Sequence, residues 1–301
     1  MLNPIIKDLI KLNLIKKKRL NLISKKMRNG KTKVFQDKIS KLIFLEKKLT
    51  NEKYYKNKYE NYNLKKNKFK NFTFEQINGK FIKLKINDDD SRRYFQLKNI
   101  IKKKTKILDF GCGKLSFLME IKKRRAGPNK FYGIEKNEFI LKKFNNDSIY
   151  DINDEVDKFD LDFDIITMFH VLHYLPNQID ILKKLRKKLK KRGKIIIEVP
   201  NALDVLFKFD EFKDFTLCKE SLVWHTDSSI KKFLITAGFK KIKVKHIQRF
   251  GLTNHLHWLI NGMPGGHDKL KKLYDERVEL MYINNLIKNK LTDTLWVEAT
   301  K

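Results

Sequence analysis

Disulfide and metal chemistry have little to work with in this chain. Its 301 residues include two cysteines, Cys112 and Cys218, too few for a disulfide framework and not at metal-ligand spacing. That usage suits a reducing compartment and predicts a cytoplasmic protein. No apolar run is long enough to span a bilayer, and the N-terminus lacks the apolar core of a signal peptide. Histidine is missing from the lysine-rich first half: all seven (170, 173, 225, 246, 255, 257 and 267) fall between residues 170 and 267. No set of them has zinc spacing.

Basic charge is abundant. The formal net charge is +33, and residues 1–70 hold 22 Lys/Arg against 5 Asp/Glu. Such a surplus is the usual mark of a nucleic-acid binder. Here the cations are mostly lysine, not the arginine that reads bases bidentately. They also recur on outer helix faces such as Leu182-Lys183-Lys184-Leu185-Arg186-Lys187-Lys188-Leu189. Lysine therefore reads as the default solvated residue, with non-specific nucleic-acid binding as its side effect. A specific grip on RNA through residues 1–70 stays open as the alternative. Ile5, Ile6, Leu9, Ile10, Leu12, Leu14 and Ile15 predict a basic, loosely amphipathic helix that packs on the body. The other use of such a helix is peripheral membrane contact through residues 1–28.

The chain is organised around Lys106-Ile107-Leu108-Asp109-Phe110-Gly111-Cys112-Gly113 and the residues that follow. This reads as an apolar strand, an acid near its end, two glycines in a tight turn, and a helix start. Glycine supplies backbone angles closed to other residues. The new helix offers unpaired N–H groups to an anionic or polar ligand. Glu135 ends the next apolar run, where a ribose diol is usually held. A dinucleotide fingerprint wants glycine at 111, 113 and 116, but position 116 is Ser116. An acid-x-Gly-x-Gly-x-Gly pattern for S-adenosylmethionine wants glycine at 115, where Leu115 stands. Asp109, two residues before the first glycine and suited to a methionine amino group, favours the second template.

Strands and helices then alternate. Strands are predicted over 105–110, 130–135, 147–150, 162–169, 193–199, 240–249 and 294–299, and helices over 115–124, 137–144, 177–191 and 228–237. This is the pattern of an open, doubly wound, mostly parallel seven-stranded α/β sheet, whose ligands bind outside the carboxyl ends of the strands. Asp88-Asp89-Asp90-Ser91 caps a helix leading into the first of these strands. Residues 200–226 and 250–292 are longer than the loops of such folds, and both read as walls of a site. Upstream, 33–45 reads as a small hairpin and Asn51 to Phe72 as a polar connector. The division is a basic extension over 1–88 and a catalytic-type domain over 89–301.

Asp109-Phe110-Gly111-Cys112-Gly113, Glu135, the run from Phe169 through Pro176, and Glu198-Val199-Pro200-Asn201 resemble class I S-adenosylmethionine-dependent methyltransferases, which share a Rossmann-like fold. Asp90-Ser91-Arg92-Arg93-Tyr94, the run from Gln248 to Trp258 and Gly262-Met263-Pro264-Gly265-Gly266-His267 resemble a subgroup found with surface-polysaccharide and sugar-modifying enzymes. The resemblance implies that Asp109, Gly111 and Gly113 shape the cofactor's methionine and ribose pocket. It implies further that Glu135 binds the ribose hydroxyls, that Asp151 approaches the adenine edge, and that His170 lies near the sulfonium. It makes a sugar or nucleotide-sugar the favoured small-molecule acceptor. Two rival functions stand beside it: an RNA methyltransferase using the basic N-terminus, and a catalytically inactive binding or scaffold protein, for which Leu115 is the main support. Among possible bases, His225 beside Trp224 comes first, followed by His170 and His173.

Overall fold

The computed structural model describes residues 1–28, 30–57, 72–77, 80–85, 89–124, 127–144, 147–266 and 274–301. Most of the predicted connector and His267 lie outside these residues. The N-terminal part comprises helix α1 (Ile5–Lys11), strands β1 (Leu20–Met27), β2 (Gly30–Asp37) and β3 (Ile43–Leu45), helix α2 (Glu52–Asn57) and the hairpin β4 (Phe72–Ile77) and β5 (Lys80–Lys85). The alternating part begins with α3 (Asp89–Leu97), β6 (Ile107–Phe110), α4 (Ser116–Lys123), β7 (Phe131–Ile134), α5 (Glu138–Lys143) and β8 (Tyr150–Asn153). It continues with β9 (Phe163–Phe169), α6 (Gln178–Lys187), β10 (Leu189–Pro200), α7 (Asp210–Thr216), β11 (Val223–Trp224) and α8 (Asp227–Thr236). It ends with β12 (Lys240–Ile247), α9 (Leu252–Asn261), α10 (Glu276–Lys288) and β13 (Thr294–Thr300).

The expected seven-stranded sheet is present, in the order β12-β13-β10-β9-β6-β7-β8. The strands from β10 to β8 run parallel, and β13 is antiparallel to both its neighbours. Helices cover both faces, so the central strands are apolar on both sides. Leu108, Ile166, Ile195 and Ile197 enter one core with Leu182 and Leu185 of α6 and Phe233 of α8. Their neighbours Ile107, Ile165 and Ile196 enter the other with Leu97 of α3 and Phe117, Leu118 and Ile121 of α4. Chain direction therefore switches side between β6 and β9, which opens a crevice at their carboxyl ends.

Several boundaries differ from the sequence reading. The strand expected at 147–150 starts at Tyr150, because the Asp147 carboxylate accepts from the N–H groups of Ile149 and Tyr150 at 2.7 and 2.9 Å, a turn that delays pairing. Helix α6 stops at Lys187, because Leu189 is drawn into the sheet opposite Phe163. Helix α8 starts at Asp227 and is capped by Thr226: the Thr226 hydroxyl accepts from Ser229 N and the Ser229 hydroxyl accepts from Thr226 N.

The predicted hairpin is half of a larger unit. Strands β1, β2, β3 and β11 form a four-stranded sheet in that order, and β11 belongs to the first insertion. Asn3 Nδ2 ties the two parts further, donating to Leu45 O and Leu222 O at 2.8 and 2.9 Å. Ile5 and Leu9 of α1, with Leu14 and Ile15 just beyond it, are buried in the main core, so this segment packs on the body. No helix among the described residues is long and apolar enough to cross a membrane.

Candidate active site

The turn after β6 follows from its glycines. Gly111 sits at φ +77°, and a Cβ there would meet Val171 Cγ2 at 2.3 Å, so the turn lies directly against the loop after β9. Gly113 is also left-handed, at φ +51°. Leu115, in place of a third glycine, adopts φ 61° as the residue before α4. Its side chain is fully buried with Phe117, Leu118 and Ile121, so it belongs to the core and leaves the turn uncrowded. The backbone carries the strain of an L-residue in this region, about 1–2 kcal/mol.

Two carboxylates flank the turn. Asp109 is buried, and the Thr167 hydroxyl on β9 donates to its Oδ1 at 2.7 Å. Burial pushes its pKa up to about 7, against the opposing pull of Thr167. Glu135 accepts from the N–H of Gly113 at 2.9 Å, and from Lys136 and Asn137 at 2.7 and 3.1 Å. The cradle thus holds a buried acid on one side and a backbone-anchored acid on the other. An ammonium beside Asp109 and polar hydroxyls beside Glu135 suit it, which is the donor set of S-adenosylmethionine. Asp151 is not part of it. Its carboxylate pairs with Lys130 at 3.3 Å and accepts from Asn153 at 3.0 Å, and Lys130 precedes β7, at the opposite end from Glu135.

A charge cluster lies past β9 and β10. Glu198, fully buried on β10, meets Arg92 at 2.7 Å, Arg93 at 2.9 Å and His170 Nε2 at 2.8 Å. Burial alone would raise the Glu198 pKa, but Arg92 and Arg93 outweigh it and hold the carboxyl well below its usual range. Arg93 also lies 4.5 Å from the centre of the Phe169 ring. Arg249 joins the cluster through Asp89 at 3.3 Å and Asp293 at 3.4 Å. Removing one partner of such a buried set strands the others, at about 3–5 kcal/mol. The sequence reading quoted Arg92, Arg93, Glu198 and Arg249 as resemblance motifs without giving them roles. Their signal was an acid inside the apolar run Ile195-Ile196-Ile197-Glu198-Val199 and a double arginine after an acidic cap.

His170 follows β9 at φ 54°, and its N–H donates to Glu198 O at 2.8 Å. Its pKa is lowered, by burial first and by Arg249 next, against Glu198. His170 and Arg249 line a cavity of about 290 Å³, along with Arg28, Tyr174, Ser221 and Trp224. His173 lines it too but is buried, with its ring centre 3.9 Å from that of Tyr174.

His225, the first-ranked base in the sequence reading, is corrected to a core residue. It is fully buried, with Nδ1 3.1 Å from Ser229 Oγ and Nε2 2.9 Å from Gln178 Oε1. Burial lowers its pKa to about 3, and both ring nitrogens are engaged away from the cavity lining. The cause is the start of α8, which folds its first turn back over the ring. His255 is likewise buried between Gln248 and Tyr282.

Residues 85–244, more than half of the chain, match the family described as a methyltransferase domain. No curated protein sequence matches the chain. Among solved structures, the chain is similar to an S-adenosylmethionine-dependent methyltransferase of Archaeoglobus fulgidus, at 18% identity and TM-score 0.46, over 75% of this chain and 97% of the other. A second such enzyme, from Mesorhizobium loti, gives 14% identity and TM-score 0.46, over 72% of this chain and 100% of the other. Phosphoethanolamine N-methyltransferase 2 of Haemonchus contortus, in complex with S-adenosyl-L-methionine, gives 14% and TM-score 0.42, over 71% and 52%. The matched span contains the glycine turn, both flanking carboxylates, His170 and Glu198. The chain belongs to the methyltransferase-domain family.

Proposed function

We propose that the acceptor is a small hydroxyl compound, a sugar or nucleotide-sugar, and that His170 is the base that takes its proton. One observation carries this reading. His170, which lies 2.8 Å from the buried Glu198, stands in the wall of a cavity of about 290 Å³, one residue from the loop position that lies against Gly111. Asp109, Gly111, Gly113 and Glu135 would hold the cofactor, Asp109 at its ammonium and Glu135 at its ribose. When bound, S-adenosylmethionine supplies an electrophilic methyl group on a sulfonium.

The rest of the work falls to this chain's side chains. With its Oε1 2.8 Å from His170 Nε2, Glu198 would keep a proton on that nitrogen, which leaves Nδ1 to accept. The lowered pKa of His170 keeps the ring neutral at physiological pH. Nδ1 of His170 would take the acceptor's hydroxyl proton as the methyl group passes to the oxygen and its carbon–sulfur bond breaks, with S-adenosylhomocysteine leaving. Arg92 and Arg93 hold Glu198 ionised, so it stabilises the imidazolium that forms. Alignment of acceptor and donor supplies much of the remaining acceleration.

The test is His170→Asn assayed against a panel of sugars and nucleotide-sugars. Cofactor affinity stays intact and turnover falls roughly 10²–10⁴-fold, the range for general-base loss. His225→Asn lowers melting temperature and leaves the rate per folded molecule within a few fold. Turnover surviving His170→Asn would remove the base role.

A further inference from the structure

Among the described residues, the cavity wall carries one cation with no ion-pair partner. Arg249 is neutralised by Asp89 and Asp293 and also donates to Thr294 Oγ1 at 2.9 Å. Arg28 makes no ion pair among the described residues. Arg28 is exposed at the rim of the cavity: its backbone N–H donates to Leu217 O at 2.9 Å, and its guanidinium lies 5.3 Å from the centre of the Phe215 ring. Arg28 follows β1 of the N-terminal sheet, so the basic extension reaches the cavity through this side chain. The hydroxyl residues Thr216 and Ser221 share the lining with it. Glu220, which precedes the lining residue Ser221, accepts the Tyr54 hydroxyl and does not itself line the cavity.

We propose that the acceptor carries a phosphoryl group, seated by Arg28 with Thr216 and Ser221, while its reacting hydroxyl faces His170. This rests on the reading of the cavity as the acceptor site. A guanidinium fork matches phosphate oxygens bidentately, and hydroxyl donors complete a three-oxygen group better than a two-oxygen carboxylate. Placement on the N-terminal sheet also gives the extension a task in specificity that its lysine surplus does not provide. A soluble phosphorylated acceptor is favoured over a lipid headgroup, because the cation lies in the lining of a small cavity.

The experiment is a calorimetric titration of the full chain, first with S-adenosylhomocysteine and then, when saturated, with uridine diphosphate, pyrophosphate or glucuronate. The proposal expects the two phosphoryl probes to bind and Arg28→Gln to weaken them about 10- to 100-fold, the worth of a charge-assisted hydrogen bond. Arg28→Lys recovers part of that loss, and Lys25→Gln, exposed on β1, changes nothing. S-adenosylhomocysteine affinity is the same in all variants; its absence would overturn the cofactor reading instead. Probe affinity equal in wild type and Arg28→Gln would overturn the proposal. So would a preference for glucuronate, or Arg28-dependent binding only to phosphatidic acid vesicles.

Discussion

Asp109 shows how burial at one residue becomes a property of ligand binding. Its carboxyl titrates at about 7 in the free protein, raised by burial. A group raised in this way stabilises the fold below its unfolded value, about 3.9, and that contribution is lost as pH rises through about 7. An ammonium placed beside it favours the ionised form, so cofactor binding expels a proton. S-adenosylhomocysteine affinity should therefore rise with pH up to about 7 and level off above. Calorimetry in buffers of differing ionisation enthalpy reads the released proton directly, and Asp109→Asn should abolish both the release and the slope. His225 has the opposite sign. Its pKa is lowered to about 3, so its stabilisation is complete above about 6.5 and drains away as pH falls towards the folded value.

At the scale of elements, α4 begins with a conflict between backbone and side chain. Leu115 holds a left-handed conformation that glycine would adopt freely, yet its side chain is fully buried. Leu115→Gly relieves about 1–2 kcal/mol of strain and forfeits about 2–5 kcal/mol of packing. The net is a loss of stability, readable in urea denaturation, with cofactor affinity retained. The alternation of strands and helices was legible in the sequence because buried parallel strands read as continuous apolar runs. Both glycines, Asp109 and Glu135 were legible for the same reason, since they punctuate those runs. Strand β11 was not: two residues long, it exists only because Val223 and Trp224 pair with Phe44 and Ile43, far away in sequence. The His225 reading failed on the same ground. Proximity to Trp224 said nothing about Gln178, 47 residues away, or about the first turn of α8 that brings Ser229 onto the ring. His170 gains its meaning only when β9 and β10 pair and bring Glu198 beside it.

At the scale of the whole molecule, the basic N-terminal part and the sheet domain are interlocked. The first insertion completes the N-terminal sheet, α1 fills the main core, and Arg28 enters the cavity lining. Deleting residues 1–50 uncovers Val223 and Trp224, both fully buried. A loss of roughly 5 kcal/mol lowers the melting temperature by about 10 °C or more. Calorimetric scanning of the truncated chain checks this; an unchanged melting temperature would show that the two parts are independent. The same interlocking means that a family match confined to residues 85–244 leaves out a wall of the site.

The central claim is that the glycine turn, Asp109 and Glu135 form a working cofactor cradle despite Leu115. Titration of the purified full chain with S-adenosylhomocysteine tests it most directly, with Gly113→Val as the comparison. One site per chain, thermal stabilisation by the ligand, and loss of both in a Gly113→Val protein that still melts cooperatively are the predicted results. No heat and no thermal stabilisation at millimolar ligand would contradict the account and leave a methyltransferase fold serving only as a scaffold.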